Sequence, residues 1–307
     1  MKSTALQLRP DENLSEALQR LAADQRLEAE KWAKRTDRPA EAVHRIRLAL
    51  KFLRALLKLS RTATGLQFYR QENARLQKAA RALSPWRDAT VMAHTVKKVG
   101  QKLSDKHRRI LRAVLAGSKN CKNPAHRQEL HAVMQNAVAS IKLTEAMLKR
   151  TALKSNDWIA IEQGLKRSYR QVSHTLKRIQ SSDTDESFHE RRKVTKYLFY
   201  HITLLNPVWP KRLARLLRQL KQLQELLGKD HDVVVVRELL QNTTTGSVKG
   251  LATLAKRLQH TNRLMRREIK ELATGTFSKQ QKPGRFTEKL NQRFRTWREQ
   301  KPASEQT

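Results

Sequence analysis

Apolar residues recur three and four positions apart along almost the whole chain, which predicts a succession of helices. Leu14, Ala17, Leu18 and Leu21 follow an acidic start, Asp11-Glu12-Asn13, and predict a first helix to about Arg35. Thr36-Asp37-Arg38-Pro39 breaks the pattern, with Pro39 suited to the first turn of the next helix, about 40–61. That second helix inverts the usual pattern. His44, Arg47, Lys51, Arg54 and Lys58 follow a 3-4-3-4 spacing and fall within an arc of roughly 80°. Arg45 apart, every other residue from Val43 to Leu57 is apolar. A soluble helix ordinarily carries an apolar stripe on a polar surround; here a basic stripe runs down an apolar helix. Such a helix should be mostly buried, yet a row of charges cannot be buried unpaired. The pattern therefore predicts a water-filled groove with positive walls, open to an anion.

After a turn at Thr62–Gly65, further helices are predicted over about 66–83, from Trp86 to about 101, and over about 105–117 and 124–150. Ser84-Pro85 ends the first of these, and 117–124 separates the last two. The second half opens at the N-cap cluster Ser155-Asn156-Asp157, with a long helix to about Ile179. A polar turn with an acidic helix start, Ser181 to Glu186, leads into Phe188–Leu198, and Asn206–Pro210 breaks that helix. A basic helix follows over 211–227. Gly228 is expected to end it and Lys229-Asp230-His231-Asp232 to open the next. After a loop at Thr243–Gly246, a last long helix spans about 248–274. The stretch from about Phe277 is basic and Gln-rich and reads as an appendage with a short helix near 286–299. Gly and Pro are scarce, and the β-prone run Val233–Val236 sits inside a helical pattern, so the fold class is all-α.

The halves repeat. His44-x-x-Arg47-x-x-x-Lys51 recurs as His189-x-x-Arg192-x-x-x-Lys196, and Leu83-Ser84-Pro85-Trp86-Arg87-Asp88 recurs as Leu227-Gly228-Lys229-Asp230-His231-Asp232. His and the closing Asp are scarce types here, so basic composition alone does not produce the match. Duplicated helical halves pack about a pseudo-twofold axis, which would set the two basic stripes across one cavity.

Charge narrows the partners. Lys and Arg number 64 against 28 Asp and Glu, a formal net charge of +36. Self-repulsion on this scale calls for a polyanion or counterions. Nucleic acid, an anionic membrane face and a free polyanion all qualify. Cys121 is the single cysteine, so no disulfide framework or Cys-based metal site can form within one chain. Met1–Pro10 lacks the apolar core of a secretory signal, and no stretch approaches the ~18 consecutive apolar residues of a membrane span. The expected address is a reducing interior, the cytoplasm.

At the two His-x-x-Arg-x-x-x-Lys motifs and the closing Leu227–Asp232 motif the chain resembles the CHAD family, the "conserved histidine α-helical domain". The family's stripe is His-x-x-Arg-x-x-x-Arg/Lys-x-x-Arg in each half, followed by a Leu-rich basic helix ending in Leu-Gly-x-x-x-Asp. The resemblance covers about 10–275. It implies two pseudo-twofold-related helical bundles around a central basic pore, binding of inorganic polyphosphate, and association with polyphosphate granules. The implied organisation is one domain over 1–275, made of repeats at about 10–150 and 155–275, then a flexible basic tail over 276–307. The chain departs from the family pattern at Phe199, where the second stripe usually has Arg, and at Ser84-Pro85, which replaces Leu-Gly. The second wall is therefore expected to hold an anion less strongly than the first. Some relatives carry a triphosphate-tunnel domain with a Glu-x-Glu-x-Lys strand; Glu28-Ala29-Glu30-Lys31 misses that spacing and lies in a predicted helix.

The chemistry fits the expectation. Polyphosphate has a charge on each phosphate and no bases to read, so its receptor needs rows of Arg forks and Lys point charges. The stripe residues lie about 5 Å apart along the helix axis, and each charge-assisted bond contributes about 1.5–3 kcal/mol. The candidate polyphosphate ligands are His44, Arg47, Lys51, Arg54, His189, Arg192 and Lys196. A second tier comprises Lys58, Arg75, Lys78, Arg81, Arg87, Arg215, Arg218, Lys221 and His231. A polyanion favours imidazolium at His44 and His189, so binding should strengthen as pH falls. Asp88 and Asp232 read as helix-start carboxylates or partners of nearby Arg. Lys256, Arg257, Arg263, Arg266 and Arg267 read as outer surface. No Gly-rich phosphate loop, nucleophile elbow or paired-carboxylate cluster supports an enzyme, and His126 and His131, five apart, are splayed for a metal. No cofactor is expected. The rival reading is a nucleic-acid-binding, nucleoid-type protein. It is disfavoured by an aromatic content of 5%, which leaves few stacking platforms, and by a basic row that lies inside rather than on a convex face.

Overall fold

A computed structural model describes residues 6–101, 103–117, 124–154, 158–177, 183–241, 248–277 and 282–299. Among them are eleven α-helices, one 3-10 turn at Asn206–Val208 and no strand. The helices are α1 (Leu14–Ala33), α2 (Pro39–Thr64), α3 (Leu66–Ala82), α4 (Ser84–Gly100), α5 (Asp105–Gly117), α6 (Pro124–Arg150), α7 (Trp158–Lys177), α8 (Asp185–Leu205), α9 (Pro210–Gln241), α10 (Val248–Phe277) and α11 (Pro283–Glu299). The local signals act as expected. Asn13 caps α1 in a reciprocal box with Glu16, and Pro39 opens α2. Gly65, at φ 91°, supplies the left-handed residue that reverses the chain into α3. Thr184 caps α8 through Ser187 N–H. The N-cap expected at Ser155–Asp157 and the loop expected at Thr243–Gly246 lie outside the described residues, as does the break expected over 117–124 apart from Gly117 and Pro124, which end α5 and open α6.

Two quartets of helices build the body. α1, α2, α3 and α6 each pack on two neighbours in a closed ring, and so do α7, α8, α9 and α10. Both quartets feed one large core, and a smaller core ties α4 and α5 to α9 and α10 of the second quartet. In the smaller core Val96 of α4 and Leu111 and Val114 of α5 meet Val233, Val236 and Leu240 of α9 and Leu254 and Leu258 of α10.

Two expectations are corrected here. Gly228 does not end a helix: α9 continues to Gln241, so Asp232 is an interior residue of a helix and not a helix start. A mid-helix Gly costs about 1 kcal/mol. Leu223, Leu226 and Leu227 before it and Val233, Val234 and Val236 after it are all buried, and their packing outweighs that cost. The basic tail is likewise not a loose appendage over Pro283–Glu299. α11 docks on α7, burying Phe286, Leu290 and Phe294, with Phe286 stacked on Tyr169 at 4.6 Å between centroids.

α2 is the hinge between the quartets, because it also packs on α7 and α8. Against α7 the approach is backbone to backbone at Gly164. A Cβ there would lie 1.9 Å from the Leu59 carbonyl oxygen, so no residue with a side chain fits this crossing. Against α8 the contact is His201, which is 1% exposed and sits 2.9 Å, through Nε2, from the Ala55 carbonyl oxygen. The carbonyl can only accept, so Nε2 carries the proton and Nδ1 stays bare and buried. Burial first, and the nearby Lys58 charge, hold the imidazole neutral down to about 4, against a contrary pull from the Ala55 carbonyl.

This contact makes the fold acid-sensitive. Above an unfolded pKa of about 6.5 the imidazole is neutral in both states and its contribution is fully present. As pH falls toward 4 the unfolded chain takes the proton first, and stability drains away by up to about 3 kcal/mol. Urea denaturation at pH 7 and pH 4.5 should show this loss in the native protein. His201→Leu, the residue type at the repeat-equivalent Leu56, should lose about 2–3 kcal/mol less over the same interval. Equal losses would remove His201 from the acid response.

A basic seam as the candidate functional site

From Ala42 to Ser60 the residues of α2 that reach solvent are His44, Arg45, Leu48, Lys51, Arg54 and Lys58; every other one is buried. The inverted pattern of the sequence thus has its physical counterpart: over this span the helix is sunk in protein except along the basic stripe, which takes in Leu48, and at Arg45, which pairs with Glu41. His44 is exposed, while Lys51, Arg54 and Lys58 are half-buried. Arg54 Nε donates to Asn73 Oδ1 of α3 at 3.0 Å, and Lys58 Nζ lies 4.5 Å from the Tyr197 ring centroid of α8. Burial, then the charges of Arg61, Arg54 and Arg167, push the Lys58 ammonium down from its ordinary pKa, with Glu190 pulling the other way.

Arg47 sits differently. It is buried, and its Nη1 donates to the Ala80 carbonyl and, at 2.9 Å, to Ser84 Oγ. That contact ties α2 to the junction of α3 and α4 and gives Ser84-Pro85 a role in the fold.

On α8 the solvent-reaching residues include His189, Arg192 and Lys196, again the predicted stripe, together with Glu190, Lys193, Tyr197, Phe199 and Tyr200. His189 is exposed with its ring 5.4 Å from that of His231 on α9; burial first, then Lys193 and Arg192, lower its pKa. Phe199 is half-buried against Tyr200, so this wall is apolar where α2 has Arg54. The stripes are linked through Lys58 over Tyr197, Phe52 edge-on to Tyr200 at 5.8 Å, and Ala55 with His201.

The second-tier residues divide. Arg75 makes two 3.1 Å bonds to Glu72, which is 1% exposed and also accepts from Thr144 Oγ1 at 2.7 Å; Arg75 thus neutralises a buried carboxylate. Lys78, Arg81, Arg215, Arg218 and Lys221 are exposed on α3 and α9. The Arg87 and Asp88 side chains lie outside the described residues. Asp232 takes Lys98 of α4 at 3.1 Å, tying α4 to α9 by an ion pair rather than orienting an Arg.

Sequence reasoning missed the cluster that places the α8 wall. Asp230, 1% exposed, accepts from Asn262 Nδ2 at 2.8 Å and Arg266 Nε at 3.0 Å. Arg266, expected at the surface, is 7% exposed, because the same guanidinium also binds Asp185 and the Asp183 carbonyl at the start of α8. Phe188 lies between two guanidiniums, Arg266 at 4.4 Å and Arg191 at 4.6 Å, and is the residue next to His189. Burial pushes the Asp230 carboxyl up, against the pull of Arg266 and Asn262. The signal was spacing: Asp230 falls in the row Leu223, Leu227, Val234, and Asn262 and Arg266 fall in the row Leu258, Ile269, Ala273, all buried. A polar residue in an apolar row is a buried partner. Among the described residues no group of His, Cys, Asp and Glu is placed to hold a metal ion.

Removing one member of this cluster strands the other. Arg266→Met should cost about 3–5 kcal/mol in urea denaturation, and Asp230→Leu combined with Arg266→Met should recover most of it. A single variant as stable as the native protein would show that the pair is not a clamp.

The fold resembles the crystal structure of the CHAD domain from the plant Ricinus communis, with a TM-score of 0.69 at 19% identity, over 92% of this chain and 97% of that one. No match was found among curated proteins. The CHAD domain family model matches residues 14–241, which takes in both quartets except α10 and contains both stripes. The chain belongs to the CHAD domain family.

Proposed function

We propose that the protein binds inorganic polyphosphate, without catalysis, along the seam formed by the stripes of α2 and α8. The observation that carries this reading is α2 itself: a helix sunk in the protein whose solvent-reaching residues from Ala42 to Ser60 are, Arg45 and Leu48 apart, the basic file His44, Lys51, Arg54 and Lys58. A fold that spends a whole helix face on aligned cations has use for an extended anion without bases. Family membership supports the same reading, since CHAD domains are associated with polyphosphate. On this reading α2 and α8 run in opposite senses as two walls of one pore about a pseudo-twofold axis. Residence at polyphosphate granules would follow from that affinity. No described helix is long and apolar enough to cross a membrane.

The rival, nonspecific nucleic-acid binding, draws on the same +36 charge. It predicts that affinity follows the exposed Lys and Arg of α3 and α9 rather than the seam, with a steep salt dependence on any polyanion. Long-chain polyphosphate and duplex DNA titrated at about 0.15 M salt separate the two. Polyphosphate should bind much the tighter, and Lys51→Gln with Arg54→Gln and Lys196→Gln should weaken it by about a hundredfold or more, as three charge-assisted contacts require. DNA binding as tightly as polyphosphate, or a folded triple variant with unchanged affinity, would overturn the proposal. Arg47 is left intact because its loss would loosen the α3–α4 junction.

The pH dependence has a defined sign. Burial and neighbouring cations hold His189 neutral at pH 7 in the free protein. A bound polyanion favours its protonated form, so affinity should rise as pH falls from neutral into the acid range, with proton uptake on binding seen by calorimetry in buffers of different ionisation heat. His189→Gln should flatten that rise.

A further inference from the structure

The seam continues past the repeated motif. Arg61 lies one turn beyond Lys58 on the same face of α2 as Arg54. Arg167 arrives from α7, its Nη2 3.1 Å from Thr62 Oγ1, at a place it reaches because α7 is pressed onto α2 at Gly164. Two rings complete a cup: Tyr197 under Lys58 at 4.5 Å and Tyr69 under Arg61 at 5.6 Å. All six side chains are half-buried. Among the described residues none of Arg54, Lys58, Arg61 and Arg167 has a carboxylate oxygen within ion-pair distance; their partners are Asn73, Thr62 and the two rings. The charges of Arg54, Arg61 and Arg167 all bear on Lys58, opposed by that of Glu190.

This arrangement differs from the rest of the stripe. Along α2 the cations stand in single file, about 5 Å apart along the axis. At its end four of them converge from two helices, held against their mutual repulsion by the crossing of α2 with α7. A single internal phosphate, with one charge, matches one rung of the file. A terminal phosphate has a second ionisation near pH 6 and carries about −1.5 to −2 at pH 7. We propose that the cup at the end of α2 holds the terminal phosphate of a polyphosphate chain, so that the seam recognises the end of its ligand as well as its length. This rests on polyphosphate being the ligand of the seam.

The test compares short, length-fractionated polyphosphate with free ends and the same chains with both ends blocked as phosphoramidates. The native protein should bind free-ended chains at least about tenfold more tightly, the effect of one lost charge-assisted contact or more. In Arg61→Gln combined with Arg167→Gln the preference should vanish, with affinity for free-ended chains falling about tenfold further than affinity for blocked chains. Orthophosphate added at equal phosphate concentration should leave the native preference intact. Equal binding of free and blocked chains by the native protein overturns the proposal. So does a double variant that weakens both ligands by the same factor, or a preference abolished by orthophosphate, which would make the cup a free-phosphate site. Should the double variant fail to fold by circular dichroism, the native protein's preference alone decides. Failure of the underlying reading looks different: neither form of polyphosphate would then bind tightly, or the seam variant at Lys51, Arg54 and Lys196 would bind both as the native protein does.

Discussion

A cation taken out of water must be given an anion, a set of dipoles or a path back to water. α2 obeys that constraint along its whole length. Its apolar residues drive it into the middle of the molecule, where it packs on α1, α3, α7 and α8, and its Lys and Arg residues dictate that one line along it stays wet. Everything around the seam follows from reconciling these two demands. Arg47, too deep for water, takes the Ala80 carbonyl and Ser84. Arg54 takes an amide and Lys58 an aromatic face. Carboxylates, which would neutralise the row, are spent elsewhere: Glu72 on Arg75, Glu145 on Arg26 and Lys149, and Asp230 on Arg266.

The two walls are held by different means. α2 is fixed by apolar burial and by backbone contact at Gly164. The start of α8 is fixed by polar contacts, with Arg266 gathering Asp230, Asp185 and the Asp183 carbonyl and Phe188 packed between two guanidiniums. His201 then bonds the C-terminal part of α8 to α2 as a neutral imidazole, which burial keeps unprotonated down to about 4. Protons would therefore act in opposite directions on the proposed reading: acid weakens the joint at His201, while a polyanion bound at His189 would be held more tightly.

Most of the fold was legible because its signals are local. The inverted stripe of α2 announced a buried helix with a wet line, and the repeat of His44–Lys51 in His189–Lys196 announced a second. The failures share one cause, which is that tertiary packing overrode a local rule. Gly228 reads as a terminator until the apolar residues on both sides of it are seen to pack as one helix. Arg266 reads as surface until its place in the row of Leu258 and Ile269 is noticed. Arg75 and Arg47 belong to the basic rows by spacing, but a buried Glu one turn away on α3 claims the first, and the Ala80 carbonyl with Ser84 claims the second. The cup at Arg61 and Arg167 could not be read at all, since it depends on where α7 crosses α2.

The central claim is that the wet line of α2 is the track of an extended anion. A crystal structure of the protein with length-fractionated polyphosphate tests it most directly. The account predicts a continuous file of phosphate density along His44, Lys51, Arg54 and Lys58, continuing past the contact of α2 with α8 to Lys196, Arg192 and His189. Phosphate density confined to the exposed lysines and arginines of α3 and α9, with the seam holding only water, would contradict it.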